Sequence, residues 1–568
     1  MWTDLPPFLI FFVGAIAVAF TRGNVRRALL LLIPVLSGLV VYGLDEGVRW
    51  QVAILGYTLE PFRVDKLSIL FGYLFSLAAF LGNLYALHLE EKEGASVQHV
   101  SAVLYAGSAL GAVFAGDLIS LFVFWELLAF TSVFLVWARK TERSYRTGVR
   151  YLVIHVLSGV LLLSGTLMLA HERGSIEFGH IGLVDGSLAG WVILVALGIK
   201  AAFPFFHGWL TDAYPESTPT GTVFLSAFTT KVAVYALARG FAGTEILVYI
   251  GVVMTCFPIF YAVIENDLRR VLSYSMINQI GFIVTGIGIG SALAVNGAVA
   301  HAFADVIFKG LLFMSMGAVL QMTGRVKGSE LGGLYKTMPI TATLCIVGAM
   351  AISAFPLFSA FVTKSMVMAA MIEEGYTWLW PFLLFASAGV LEHAGIKIPY
   401  FAFFAHDSGI RAKEPPRNML IAMSIGAVLC VAIGTFPDIL YSLLPYAAEY
   451  HPYDVTHVLT QVQLLLFGAL AVVVLIRSGI YPPEMPSVNL DVEWLYRRIA
   501  PKVVLGVGGA VARVDHAVRG AALGVVGSVV RGAARGHGPR GVLARTWPTG
   551  SMVLWVAILL GAYIIFYL

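Results

Sequence analysis

Charge is what this chain has least of. Asp, Glu, Lys and Arg make up 12% of its 568 residues, roughly half the share of a soluble globular chain. Hydrophobic residues make up 59% and mean hydropathy is +0.84, so a water-soluble body is excluded. Cysteine is scarcer still: Cys256, Cys345 and Cys430 stand singly in apolar stretches, with no CxxC pair and no histidine at ligand spacing. That argues against iron–sulfur clusters and structural zinc. No Gly-rich phosphate loop or dinucleotide fingerprint occurs, so redox or nucleotide chemistry would belong to another polypeptide, and neither cofactor nor metal is expected. The net charge of +4 is small for the length and gathers in a few loops and near the C-terminus, which speaks against a nucleic-acid partner. The first apolar segment has no basic leader and no small-residue cleavage site, and reads as a retained helix.

What the chain has is long apolar runs from one end to the other. They do not alternate residue by residue as barrel strands do. Sixteen are long enough to span a bilayer as helices: 7–21, 26–44, 65–89, 98–115, 117–138, 148–171, 187–207, 219–240, 245–265, 270–290, 294–322, 339–372, 378–404, 418–436, 461–478 and 549–568. The basic residues Arg22, Arg26 and Arg27, then Arg139, Lys140, Arg143 and Arg146, then Arg269 and Arg270, then Arg325, Lys327 and Lys336, then Arg411, Lys413 and Arg417 all follow odd-numbered spans. Positive loops stay cytoplasmic, so both termini are expected on the non-cytoplasmic side of a cell (inner) membrane. Glu90, Glu91 and Glu93 break the pattern. Between the last two spans, Arg513, His516, Arg519, Arg531 and Arg535 recur among Val, Ala and Leu, which suggests a helix lying in the cytoplasmic interface. Its glycines oppose helix formation.

Two spans share a short motif. Ala202-Phe203-Pro204-Phe205-Phe206 and Ala354-Phe355-Pro356-Leu357-Phe358 each put a proline inside an apolar run, which removes a backbone donor and breaks the helix. The two spans lie five crossings apart and therefore run in opposite directions. Paired broken helices of inverted topology point to an ion site near mid-membrane.

Ionisable residues recur inside the spans, where each costs roughly 2.5 to 3.5 kcal/mol even on a lenient insertion scale. Glu126 sits in the middle of the fifth span. Lys200 lies four residues before Pro204, and His207 follows the break. Lys231 lies in the eighth span, and Lys364 follows Pro356. His301, Asp305 and Lys309 are spaced i, i+4, i+8, which places them on one helix face. Glu392, His393 and Lys397 fall in the thirteenth span. A buried Lys regains its charge when a carboxylate is near, so a file of Lys, Glu and His can hand protons on through intervening water. Any one of these residues could be a structural ion pair, and Glu392 and Lys397 could equally snorkel toward loops. As a series tied to both broken helices they read as a proton path.

At these residues the chain resembles the antiporter-like subunits shared by Mrp-type multisubunit Na+/H+ antiporters, respiratory complex I and membrane-bound hydrogenases. The motifs are Asp117-Leu118 with Phe124-Trp125-Glu126; Lys200-Ala201-Ala202-Phe203-Pro204 with His207-Gly208-Trp209-Leu210-Thr211-Asp212-Ala213; Lys231; Asp267-Leu268-Arg269-Arg270-Val271-Leu272-Ser273-Tyr274-Ser275; and Lys364 in Phe361-Val362-Thr363-Lys364. Thr211 stands where that family usually has proline, and Asp305 where it commonly has histidine. Gly297–Phe303 and Lys309–Ala318 look most like the D-type member of the Mrp antiporters, while the added interfacial stretch and last span are reminiscent of the largest such subunit of complex I.

The resemblance implies an all-α polytopic protein with two inverted five-helix repeats, each holding a broken helix. Its parts are N-terminal helices (1–97), a first bundle (98–240), a second bundle (245–404), C-terminal helices (405–480), the interfacial segment (481–548) and a final span (549–568). It further implies an inlet half-channel of Glu126 paired with Lys200, and Lys231, continued through His301, Lys309 and Lys364. His207, Asp305, Glu392 and Lys397 are candidate ion-binding residues, and Asp305 could pair with Lys309 or ligate a cation. The implied protein is no enzyme in itself but an ion-translocating subunit, exchanging Na+ or another monovalent cation for H+ beside other membrane subunits. A proton pump of a redox complex and a membrane scaffold are the alternatives.

Overall fold

Apolar runs have no water to satisfy their backbone groups, so they bond within their own segments and fold as helices. The computed structural model describes the chain except residues 1–4, 55, 92–93, 482–483, 486–488 and 568. Glu93 of the acidic loop therefore lies outside the described residues. Two units are distinguished, Met1–Asn489 and Leu490–Leu568.

In the first unit, α1 (Pro7–Phe20) and α2 (Gly23–Tyr42) lead to an antiparallel hairpin of β1 (Gly47–Ile54) and β2 (Tyr57–Val64), then α3 (Lys66–Ala86) and α4 (Ala95–Phe114). A first bundle adds α5 (Leu118–Trp137), α6 (Glu142–Arg173), α7 (Ala189–Lys200), α8 (Gly208–Glu216), α9 (Gly221–Ala227) and α10 (Thr229–Gly240). A second holds α11 (Ile246–Ile264), α12 (Leu268–Ile289), α13 (Ala292–Thr323), α14 (Pro339–Ile352), α15 (Ser359–Glu373), α16 (Trp380–Val390) and α17 (Lys397–Pro399), the last flanked by π-helical turns. The helices α18 (Arg417–Thr435), α19 (Asp438–Tyr441) and α20 (Val455–Arg477) complete the unit, and the second unit contains α21 (Ala500–His537) and α22 (Thr549–Tyr567).

Fourteen helices among the described residues are long and apolar enough to cross a membrane, and α1, α7 and α14 are shorter apolar helices. One of the fourteen, Leu495–Ala544, is the stretch expected in the interface; it is helical through Ala500–His537 despite its glycines. The hairpin departs from the all-helical expectation. Val48, Trp50, Val52 and Ile54 alternate with Arg49, Gln51 and Ala53, the two-residue period of a strand.

The inverted repeat is written in the hydrogen bonds. Asp117 caps α5 by accepting from Ser120 N at 2.8 Å, and Asp267 caps α12 by accepting from Arg270 N at 3.1 Å, each satisfying orphan donors of the first turn. Leu118 N donates to Ile176 O and Leu268 N to Val326 O; Phe178 N donates to Gly116 O and Gly328 N to Asn266 O. Every one of these partners is 150 positions from its counterpart. The same step carries α6 onto α13, each 32 residues long and each closed by a left-handed glycine, Gly174 (φ 67) and Gly324 (φ 71).

The two breaks also match. Ala202 and Phe205 have φ 61 and 69; Ala354 and Leu357 have φ 57 and 72. Phe203 N reaches back to Gly198 O (2.9 Å) as Phe355 N does to Met350 O (3.1 Å). Non-glycine residues in this region are strained, and the prolines hold them there by denying the helix a donor. A third interruption, at Phe228 between α9 and α10 (φ −105, ψ −66), has no proline or glycine to announce it. Helix α11 lies so close to α12 that a Cβ on Gly251 would come within 2.5 Å of Thr285 N, the close approach that small residues permit where hydrophobic driving force is weak.

Candidate functional site

Lys200 ends α7 and is wholly buried. The break after it stops the helix, and its Nζ donates to the Trp125 carbonyl of α5 while standing 4.4 Å from the centre of the Trp125 ring, within cation–π range. Glu126, the next residue on α5, is half-buried. Its carboxylate lies against Gly159 of α6, where any Cβ would overlap Oε1, and Oε1 has no hydrogen-bond partner among the described residues. Glu126 and Lys200 are thus neighbours across one peptide of α5 and feel each other's charge, although the ammonium is held by the carbonyl. His207, just beyond the break, stacks its ring 4.8 Å from Phe257 of α11.

Lys231 lies on α10 just after the Phe228 interruption, and its Nζ donates to the Ser226 carbonyl at 3.3 Å. On its other side is Asp305 of α13, with Oδ2 at 2.5 Å; neither side chain has any exposed surface. Of the two roles open to Asp305, pairing with Lys309 or ligating a cation, the first is not what is seen: its ion-pair partner is Lys231 of the other bundle. One helical turn along α13, Lys309 turns toward α12 and donates to Ser275 Oγ at 2.8 Å. His301 bridges α12 and α15, with Nδ1 2.9 Å from Thr363 Oγ1 and Nε2 3.1 Å from Gln279 Oε1. Lys364 follows Thr363; its Nζ has no hydrogen-bond partner among the described residues and lies 4.6 Å from the centre of the Phe282 ring. Three of these four lysines, Lys200, Lys309 and Lys364, meet only neutral groups at contact distance. Carbonyl and hydroxyl oxygens accept from an ammonium without offering an opposite charge, so a proton can leave without an ion pair being broken.

The thirteenth-span residues divide. Lys397 does not snorkel: 1% exposed, it donates to Val263 O (2.6 Å) and Glu265 O (2.7 Å) at the end of α11 and pairs with Glu484 at 2.7 Å. Glu392 accepts from Tyr481 Oη at 2.6 Å. His393 is buried with neither ring nitrogen hydrogen-bonded among the described residues, under the charges of Lys309, Lys364 and Lys397. Burial raises the Glu484 carboxyl above the usual carboxylate range, an effect that Lys397 opposes.

Two buried residues are not singled out by the sequence. Arg269 reads there as a loop charge, yet it is fully buried and donates to the carbonyls of Tyr214, Pro215, Ser217 and Thr218 and to Thr222 Oγ1, which ties the end of α8 to α12. Its place beside an acid-capped helix start hides it among surface arginines. His155 sits inside α6 packed against the rings of Tyr151 (4.1 Å) and Trp209 (4.4 Å), and neither of its nitrogens has a hydrogen-bond partner among the described residues. A histidine in the middle of an apolar span is a readable signal.

Residues 115–389 match the family model described as NADH:quinone oxidoreductase/Mrp antiporter, TM. The chain is 29% identical over 513 residues to the A-type member of the Na(+)/H(+) antiporter of Alkalihalophilus pseudofirmus, covering 79% of this chain and 62% of that one. It is 29% identical over 483 residues to the NADH-quinone oxidoreductase subunit N of Desulforudis audaxviator, covering 76% and 94%. A chain of the Mrp complex from Dietzia sp. DQ12-45-1b shares the fold with TM-score 0.67 at 22% identity, covering 81% of this chain and 95% of that chain. The chain spans about half the length of the first curated relatives it matches.

Proposed function

We propose, from the premise that residues 115–389 make this chain a member of the NADH:quinone oxidoreductase/Mrp antiporter transmembrane family, that it is the ion-translocating subunit of a multisubunit monovalent cation (Na+)/proton antiporter. The observation that carries the reading is the run of wholly buried ionisable groups, Lys200, Lys231 with Asp305, Lys309 and His301, with Lys364 only 2% exposed. They lie on or beside interrupted helices in both repeats, and intramembrane ionisable groups are costly enough to be kept for function.

The path begins at Glu126 and Lys200, crosses between bundles at Lys231 and Asp305, and leaves through Lys309, His301 and Lys364. A proton arriving at Asp305 removes the charge that holds Lys231, and the freed ammonium passes its own proton toward Lys309. An acid where the family commonly has histidine thus makes the crossing an ion pair that opens and closes. A Na+ bound to Asp305 would take the place of the Lys231 ammonium, which gives the two cations one carboxylate to compete for. Companion membrane subunits complete the assembly in a cell membrane, with both termini on the non-cytoplasmic side.

The test is transport in everted vesicles bearing the whole complex. Glu126→Ala and Lys200→Ala abolish cation-dependent proton movement while the complex still assembles; undiminished exchange in both variants sinks the proposal. A second reading, a proton-pumping module of a redox complex, is supported by the match that covers 94% of the quinone oxidoreductase subunit and 76% of this chain. Purifying the chain with its companions separates the two, since iron–sulfur partners support the redox module and small antiporter subunits the exchanger.

A further inference from the structure

His155 is a fully buried histidine on α6 that the path above leaves idle. The 150-residue step assigns it a counterpart: it carries Trp125 to Ser275, Tyr151 to His301, His155 to Asp305 and Gly159 to Lys309. The first of these equivalences is matched in contact, because the residue 125 carbonyl accepts from Lys200 and the residue 275 hydroxyl accepts from Lys309. Where the second bundle places Lys309, the first has Gly159, and the Glu126 carboxylate from α5 fills the space beside it. Each bundle therefore puts an ionisable group at this position, and one turn before Gly159 on α6 stands the buried His155.

A histidine kept only for packing would satisfy its nitrogens locally. The nearby hydroxyls are committed elsewhere: Ser158 Oγ accepts from Trp125 Nε1 and donates to Ala196 O, and Ser132 Oγ is bonded to Tyr151 Oη. The Trp209 ring, 4.4 Å from the imidazole, donates through Nε1 to the carbonyl of Ile199, the residue before Lys200, and the Lys200 charge reaches the imidazole. The Tyr151 ring, 4.1 Å away, carries a hydroxyl near Thr229, whose Oγ1 lies 2.5 Å from Tyr105 Oη. Thr229 opens α10, two residues before Lys231.

We propose that His155 is a proton-carrying link between Lys200 and Lys231. One ring nitrogen takes a proton from the Lys200 side as the other releases one toward the Tyr151 and Thr229 hydroxyls, which donate and accept at once. The ring ends as the opposite tautomer, and a flip about its side-chain bonds resets it, so one proton crosses and nothing is oxidised or reduced.

This rests on the translocation reading above, and the experiment keeps the two apart. Everted vesicles carrying the complete complex are prepared with wild type, Lys200→Ala, His155→Gln and His155→Phe. Both His155 variants are expected to retain companion subunits and an unchanged KM for the transported cation, while the maximal rate falls about tenfold or more, as loss of a positioned acid–base group does. If both run within twofold of wild type while Lys200→Ala is dead, His155 is a packing residue and only this inference is lost. If Lys200→Ala also runs normally, the wider reading is lost with it. If neither His155 variant assembles, the residue is structural and the inference is overturned.

Discussion

Lys231 of one bundle and Asp305 of the other form an ion pair, 2.5 Å apart with no exposed surface on either side chain. It joins the two repeats, because α10 and α13 belong to different halves of the inverted plan. Breaking such a pair by removing one partner costs about 3–5 kcal/mol, whereas removing both is often close to neutral. Lys231→Met and Asp305→Asn should each lower the melting temperature of the purified complex, and the double variant should recover most of the loss. Transport should be absent from all three. A double variant that exchanges ions at the wild-type rate would favour a structural pair in a membrane scaffold.

Gly159 offers a second test, because a Cβ there overlaps the Glu126 carboxylate. Gly159→Ala should cut proton movement about tenfold by displacing that carboxylate, and should add nothing in a Glu126→Ala background, as coupled neighbours do. The vesicle assay reads both. Additive losses would mean that the glycine acts by some other route.

Arg269 predicts a stability defect. Its guanidinium satisfies the backbone oxygens of residues 214, 215, 217 and 218, and a buried acceptor left unsatisfied costs about 1–3 kcal/mol. Arg269→Met should sharply reduce recovery of the intact complex. Arg269→Lys should restore it only in part, since a single ammonium cannot reproduce the planar fork. Recovery equal to wild type for Arg269→Met would overturn this account.

Outside the spans, Arg411 and Lys336 hold the Asp407 carboxyl well below the usual carboxylate range. A depressed folded-state value means a contribution that is complete above about pH 4, the ordinary carboxylate range, and lost as pH falls below it. The connection 405–416 should therefore keep its protease protection from pH 8 down to pH 5. Asp407→Asn should expose it across that whole range.

Much of this was legible in the sequence because membranes punish disorder in the pattern. Spans show as unbroken apolar runs, and Pro204 and Pro356 mark two breaks whose backbones match in left-handed residues and hydrogen bonds. Lys200, Lys231, Asp305, Lys309 and Lys364 stand out because each violates its surroundings. What stayed hidden depends on contacts made across the chain. The Phe228 interruption carries no breaker residue. Arg269 reads as a loop charge until the carbonyls it serves are brought to it by α8, and the partner of Asp305 lies 74 positions away rather than one turn along its own helix.

The duplicated layout has a bearing on flow. Two conductors joined in series deliver only what their junction lets through, however good each is alone. On the path we propose, each half ends its own line of polar groups at the meeting of Lys231 and Asp305, so that contact is where a cell would throttle the whole current and where one altered atom would silence both arms together.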